Sequence, residues 1–364
     1  MPYGTVNADV IGTSVAGSNL GAGDASLMKN RIINGAMVID QRNAGASVTA
    51  SGSYPVDRFQ YQNDSDATVT WQQSSTAPVG FANSLSATIT TADASVGASQ
   101  YSMITQRIEG YNIADLNFGT ANAKTVTISF WVQSSVTGTY GGVINNDGSA
   151  RSYPFTYTIS SANTWEQKSV TIAGDTSGTW LKTNGVGFQV RWALGMGSSL
   201  AGTAGSWSTN TYFGATGGTN LISTAGATFY ITGVQLEVGS SATGFEYVNY
   251  QTSLANCQRY FISYGGDTAY ERFANCINTS TTQAIGMVSF PTSMRTTPSV
   301  SSSGSIGVYN GSAITSVTSI AIDAAAPKIT TVAFNVASGL SANAYTQAIA
   351  NASTATRLTF SAEL

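Results

Sequence analysis

The stretch GVGFQVRWAL, residues 185–194, puts Val186, Phe188, Val190, Trp192 and Leu194 on one parity and leaves Gln189 and Arg191 on the other. Successive side chains of a strand point to opposite faces, so this reads as a β-strand with an apolar face turned inward. Gln189 and Arg191 are left to face solvent or a ligand. The same period recurs in TVTISFWV (125–132), where Val126, Ile128, Phe130 and Val132 oppose Thr125, Thr127, Ser129 and Trp131. In YITGVQLEV (230–238), Val234, Leu236 and Val238 alternate with Gln235 and Glu237. Turn formers such as Asn145-Asn146-Asp147-Gly148 and Asp175-Thr176-Ser177-Gly178 separate the runs. No stretch shows long helical periodicity, and the many β-branched residues oppose one.

Working outward, three regions emerge from the 364 residues. Residues 1–29 are rich in Gly, Ala and Ser, with scattered aliphatics that cannot form a core alone. They read as an extended N-terminal arm, either a flexible tail or a segment that orders on a partner. Residues 30–250 read as a β-sandwich. Residues 251–364 form a second, smaller β-sandwich domain, opening on a brief helical turn capped by Ser253 and continuing through short strands in RYFISY, AIGMVSF, SIGVYN, ITTVAFNV and RLTFSAEL. In the last run Leu358, Phe360, Ala362 and Leu364 share one face. The fold class is all-β, and the lack of fixed-period self-similarity argues against a propeller or solenoid.

Composition narrows the function. Charged residues make up 9% of the chain, well under the roughly 25% of ordinary soluble domains, while the hydrophobic 42% can support a packed core. A net charge of −3 offers no basic stripe for phosphates, so nucleic acid is not an expected partner. No run of about 20 apolar residues is present to cross a bilayer, and no membrane insertion is expected. Histidine is absent, which removes Ser-His-Asp triads, Cys-His dyads and His-ligated zinc together. Cys257 and Cys276 read as buried reduced thiols, consistent with assembly in a cytoplasm.

Three stretches carry a resemblance. Asn30-Arg31-Ile32-Ile33-Asn34-Gly35-Ala36-Met37, with Gln41-Arg42 and Asp57-Arg58-Phe59, resembles the opening pattern of jelly rolls in tailed-bacteriophage tail-fibre and receptor-binding proteins. Phe59 stands where Trp is common in that opening, and residues 229–239 with Ala242-Thr243-Gly244-Phe245-Glu246 are similar to the pattern closing those domains. Cys257-Gln258-Arg259-Tyr260-Phe261 and Met294-Arg295-Thr296-Thr297-Pro298 resemble the family's C-terminal β-domain. The resemblance implies a jelly roll like a carbohydrate-binding module, a homotrimer, and a place on the exterior of a virion. It implies host attachment through a surface glycan or lipopolysaccharide, with other virion proteins met through the N-terminal arm. A head fibre or decoration protein, and a glycan-degrading tail spike using a carboxylate pair, are the alternatives.

No cofactor, no metal and no catalytic residue is expected. Asn34-Gly35 reads as a turn with Gly35 tolerating positive φ, and Asp57 with Arg58 as a structural ion pair. Asp24, Asp40 and Asp57 lie near the start of the resemblance, and turn capping is the reading of each, since their spacing matches no calcium loop. Trp71, Trp131, Trp165 and Trp192 lie in strand-like runs and read as core. The ligand candidates are aromatic residues outside such runs: Trp207 and Tyr212, with Phe213, in the polar loop 195–226, then Trp180 and Tyr140. Ser208, Asn210 and Asn220 are placed to bond sugar hydroxyls beside them. The loop either binds a ligand or packs against a neighbouring subunit.

Overall fold

The computed structural model describes residues 28–364, so the arm expected over 1–29 lies outside the described residues through residue 27. The chain divides into two compact units, one ending at Val248 and the other spanning Asn249–Leu364. The all-β expectation holds: strands account for 44% of the chain and helices for 7%.

The first unit contains β1 (Phe59–Asn63), β2 (Thr68–Ser74), β3 (Ser84–Thr91), β4 (Tyr101–Glu109), β5 (Val126–Ser134) and β6 (Gly138–Asn145). It continues with β7 (Ser152–Ile159), β8 (Glu166–Ile172), β9 (Val186–Met196), the two-residue β10 (Ala201–Gly202) and β11 (Gly214–Ala215), and β12 (Thr228–Val238). Two antiparallel five-stranded sheets, ordered β1-β4-β9-β6-β7 and β2-β3-β12-β5-β8, pack face to face as a jelly-roll sandwich. The chain crosses between sheets repeatedly because each strand has one apolar face and needs the opposite layer to cover it. As the alternation in 185–194 requires, Phe188, Val190, Trp192 and Leu194 are fully buried between the sheets. Trp192 meets Phe59 and Phe130 there, at centroid separations of 6.3 and 5.8 Å.

In β12 the parity changes once. Phe229 and Ile231 point inward, and so do Val234 and Leu236, because the register against β5 slips by one residue between Thr232 and Gln235. Gly233 sits in that bulge at φ +60, where a Cβ would stand 2.7 Å from the Phe81 ring.

The opening motif is an anchoring node. The left-handed residue is Asn34, at φ 62, and not Gly35. Gly35 is needed for a different reason, since a Cβ there would come within 2.1 Å of the Val234 carbonyl oxygen. The Asn34 amide donates to the Ile39 and Asp57 carbonyls, both at 2.9 Å. Asp57 pairs with Arg42 at 3.1 Å and accepts from Gln41, while Arg58 donates to the Arg107 carbonyl. Burial holds the Asp57 carboxyl above its usual range despite Arg42. Asp40 caps a turn, accepting from the backbone N–H groups of Asn43 and Gly45.

The second unit opens on α1 (Tyr250–Gln258), whose cap is Asn249 and not Ser253: the Asn249 side chain accepts from Thr252 N, satisfying a donor the helix itself cannot use. The strands that follow are β13 (Phe261–Tyr264), β14 (Arg272–Asn278), β15 (Gln283–Ser289), β16 (Ser299–Ser303) and β17 (Ile306–Tyr309). The last four are β18 (Ile314–Ala326), β19 (Ile329–Val336), β20 (Tyr345–Ala350) and β21 (Arg357–Ser361). Its layers are a closed barrel, β14-β15-β19-β18-β17-β20, and a three-stranded sheet, β13-β21-β16. Leu358, Phe360 and Ala362 share the buried face as their spacing predicts. Arg295 ties down the chain end, donating to the Ala362 and Glu363 carbonyls at 2.7 Å each. Among the described residues, no helix is long and apolar enough to cross a membrane.

Candidate functional site: the outward face of the first sheet

Two of the four candidate aromatics are structural. Tyr140 lies in β6 and is fully buried, so it presents no surface to a ligand. Its hydroxyl donates to the Val136 carbonyl at 2.7 Å and meets Ser134 Oγ at 3.0 Å, and its ring stacks on Tyr157. The run Gly138-Thr139-Tyr140-Gly141-Gly142 looks like a loop only because its glycines hide the alternation. Gly142 is small because a Cβ there would meet the Phe155 ring at 2.3 Å. Trp180 is 5% exposed, packs edge-on to Phe118 at 4.9 Å and donates from Nε1 to the Ser177 carbonyl.

Trp207 joins the same cluster. It is half-buried, stands edge-on to Trp180, Phe118 and Tyr153, and donates from Nε1 to the Ala173 carbonyl at 2.8 Å. Arg151 lies beside it, gripping Asp175 through two bonds of 2.6 and 2.7 Å. Asp175 raises the Arg151 guanidinium above its ordinary value.

Loop 197–220 is then drawn across the outward face of the first sheet. Tyr212 is half-buried, its ring against Gly202, its carbonyl accepting from Asn145 and its hydroxyl from Asn210. Asn220 accepts from Met196 N, and Ser208 pairs with Ser152 through the backbone. Phe213 lies over the Arg191 guanidinium at 4.4 Å and meets Tyr101 edge-on at 5.5 Å.

Beneath Phe213 is a polar ladder that strand register assembles from distant sequence. Gln60 opposes Thr105, Thr105 opposes Arg191, and Arg191 opposes Val143 across four strands. In the next row Arg107, Gln189, Asn145 and Ser152 stand opposite one another. Gln189 and Arg191 are outward-facing as their parity predicts, yet each is only 5% exposed, because the loop covers them. Arg191 donates to Ser149 Oγ at 3.2 Å, Gln189 Oε1 at 2.8 Å and the Asn145 side chain. Burial, and then Arg107 alongside, push its pKa down. The open part of the face lies along β1 and β4: Gln60, Gln62 and Arg107, bounded by the Tyr101 and Phe213 rings, are all partly exposed. Arg107 donates to Gln60 Oε1 and Thr105 Oγ1 to Gln62 Oε1, which leaves the Gln62 amide nitrogen facing outward without a protein acceptor among the described residues. Amides and a guanidinium beside exposed ring edges suit bidentate bonding to vicinal hydroxyls. Among the described residues, no three His, Cys, Asp or Glu side chains gather in a way that holds a metal ion.

The outward face of the second sheet holds what the sequence reading missed. Trp71 and Trp192 are core residues, but Trp131 and Trp165, expected to be core, are half-exposed on that face with Tyr230. The signal was present: Trp131 lies on the parity of Thr125, Thr127 and Ser129.

No protein-family model matches the chain, and no curated protein matches it. Solved structures to which the chain is similar include the enzymatically active domain of tailspike protein 4 of bacteriophage CBA120, at 11% identity and a TM-score of 0.32, covering 59% of this chain and 22% of that one. They also include a putative sugar binding protein of Bacteroides thetaiotaomicron, at 13% identity and a TM-score of 0.32, covering 58% of this chain and 100% of that one. The family 11 carbohydrate-binding module of a Clostridium thermocellum cellulase matches at 11% identity and a TM-score of 0.28, covering 56% and 100%. The chain thus spans about a fifth of the tailspike domain's length and all of the other two.

Proposed function

We propose that this chain is a non-catalytic glycan-binding attachment protein on the exterior of a tailed phage, a tail fibre or receptor-binding component acting as a homotrimer. The observation that carries the glycan reading is the open strip of the first sheet, where Gln60, Gln62 and Arg107 lie between the Tyr101 and Phe213 rings. The phage reading rests on the resemblance of residues 30–59, 229–246 and 257–298. The absence of histidine supports a binding role. So does the engagement of Asp40, Asp57, Asp175 and Glu237 in turns, ion pairs and backbone bonds. Weak single sites multiplied in an oligomer suit firm adsorption.

The test is adsorption of the purified chain to host cells and extracted lipopolysaccharide. Replacing Gln62 and Arg107 together with Ala is expected to weaken adsorption at least tenfold, with melting temperature and elution volume unchanged. Unchanged adsorption refutes the assignment of this strip. The attachment role of residues 1–29 has its own test: a deletion of 2–28 that still enters particles normally removes it.

A further inference from the structure

We infer a second glycan-binding surface, on the outward face of the opposite sheet, built on Trp131, Tyr230 and Trp165 and selective for uncharged saccharides. Register assembles it: Tyr230 stands between Ser86 and Gln133, and Trp131 between Thr232 and Gln167. Trp165 meets Tyr230 edge-on at 6.2 Å. All three residues are partly exposed: Trp131 and Tyr230 point away from the core by their parity in β5 and β12, and Trp165 immediately precedes β8.

The neighbouring part of this face is closed by the chain itself. Glu237 accepts from Thr243, Gln235 donates to the Gly244 carbonyl and accepts from Glu246 N, and Thr127 donates to the Gly239 carbonyl. Phe245 of the same segment packs on Phe81, and Phe81 and Trp131 flank Gly233 together, so Trp131 borders the covered area. Gln133, opposite Tyr230, is partly exposed beside them, with its Oε1 enclosed and without a hydrogen-bond partner among the described residues.

Charge matching selects the occupant. The rows through Tyr230 and Trp131 carry hydroxyls, amides and aromatic rings and no acid or base. The adjoining ion pair, Glu166 with Lys168, is compensated internally, and Glu166 is turned onto the backbone of Ser160 and Ser161. A pyranose places C–H groups on the rings and hydroxyls on the amides, and needs no counter-charge. The first sheet's strip differs in carrying Arg107, so the two faces distinguish uncharged from acidic sugars.

Native gels cast with dextran, mixed-linkage β-glucan, galactan or polygalacturonate test this on the full chain. The Trp131→Ala/Tyr230→Ala variant is expected to lose retardation by at least one neutral polymer about tenfold, while Gln62→Ala/Arg107→Ala keeps it. Should the double variant fail to fold, Trp165→Ala and Gln133→Ala carry the same comparison. Unchanged retardation in the second-sheet variants overturns the inference, and so does retardation by polygalacturonate alone or by none of the four. A shift in elution volume with unchanged retardation assigns the face to a second copy of the chain and overturns it as well. Loss confined to the first-sheet variant leaves the function proposed above standing without this one; loss of neutral-polymer retardation in the second-sheet variants, together with unchanged host-cell adsorption of the first-sheet variant, does the reverse.

Discussion

Tyr140 is held at both ends of its side chain, the ring by Tyr157 and the hydroxyl by Ser134 and the Val136 carbonyl. Replacing it with Phe keeps the ring and strands two polar partners, which costs about 1–3 kcal/mol. Calorimetry should register that as a drop in melting temperature, at roughly 2–4 °C per kcal/mol for a unit of this size. Trp180→Ala goes further, at about 3–5 kcal/mol, because it empties the centre of the Phe118, Phe188 and Trp207 cluster. A glycan-contacting role for either residue predicts the opposite pattern, intact stability with lost binding. The cysteines behave as residues of the interior. Both are buried, and burial pushes the Cys276 thiol up to about 11. At about pH 8 only about a thousandth of such a thiol is thiolate, so iodoacetamide should label Cys276 in guanidinium chloride and leave the folded protein unlabelled. Rapid labelling of the native chain contradicts the burial.

Elements show where sequence is legible and where it is not. β9 was readable because burial on one face writes a two-residue period into the chain, and so were β5 and β21. The aromatic residues of loop 197–220 had no period to follow, and their surroundings come from Phe118, Tyr153 and Arg191, far away in the chain. Adjacent residues on a strand cannot reveal which cross-strand neighbours complete a row, so the ladder from Gln60 to Val143 appears only once register is known. Trp131 was placed with the core because its residue type outweighed its parity. Gly233 marks a further limit, since a one-residue bulge reverses every inward assignment before it. Gly233→Ala forces a side chain into a left-handed site against Phe81, and should destabilise the sandwich by about 1–3 kcal/mol in thermal unfolding. An unchanged melting temperature shows that the bulge relaxes.

At the scale of the whole molecule, the missing histidines decide the pH response. No side chain has an ordinary pKa between about 5 and 8 when histidine is absent, so the response of stability to pH rests on groups that the fold displaces. Among them, Asp57 reverses the usual acid lability. Its pKa is raised in the folded state by burial, with Asp40 adding to the rise and Arg42 opposing it. The folded form therefore holds the proton more tightly than the unfolded one, so stability increases as pH falls through the folded pKa towards the ordinary value of 3.8. A carboxylate with a depressed pKa gives the contrary slope, losing its contribution as pH falls. Other carboxylates titrate in the same range, so the quantity to measure is the melting-temperature difference between the native chain and Asp57→Asn. That difference should move in favour of the native chain as pH falls from neutral to about 4. A difference that is flat, or that moves towards the variant, means that Arg42 and Gln41 outweigh burial, and that the node joining residues 34–58 is held by its ion pair and not in spite of it.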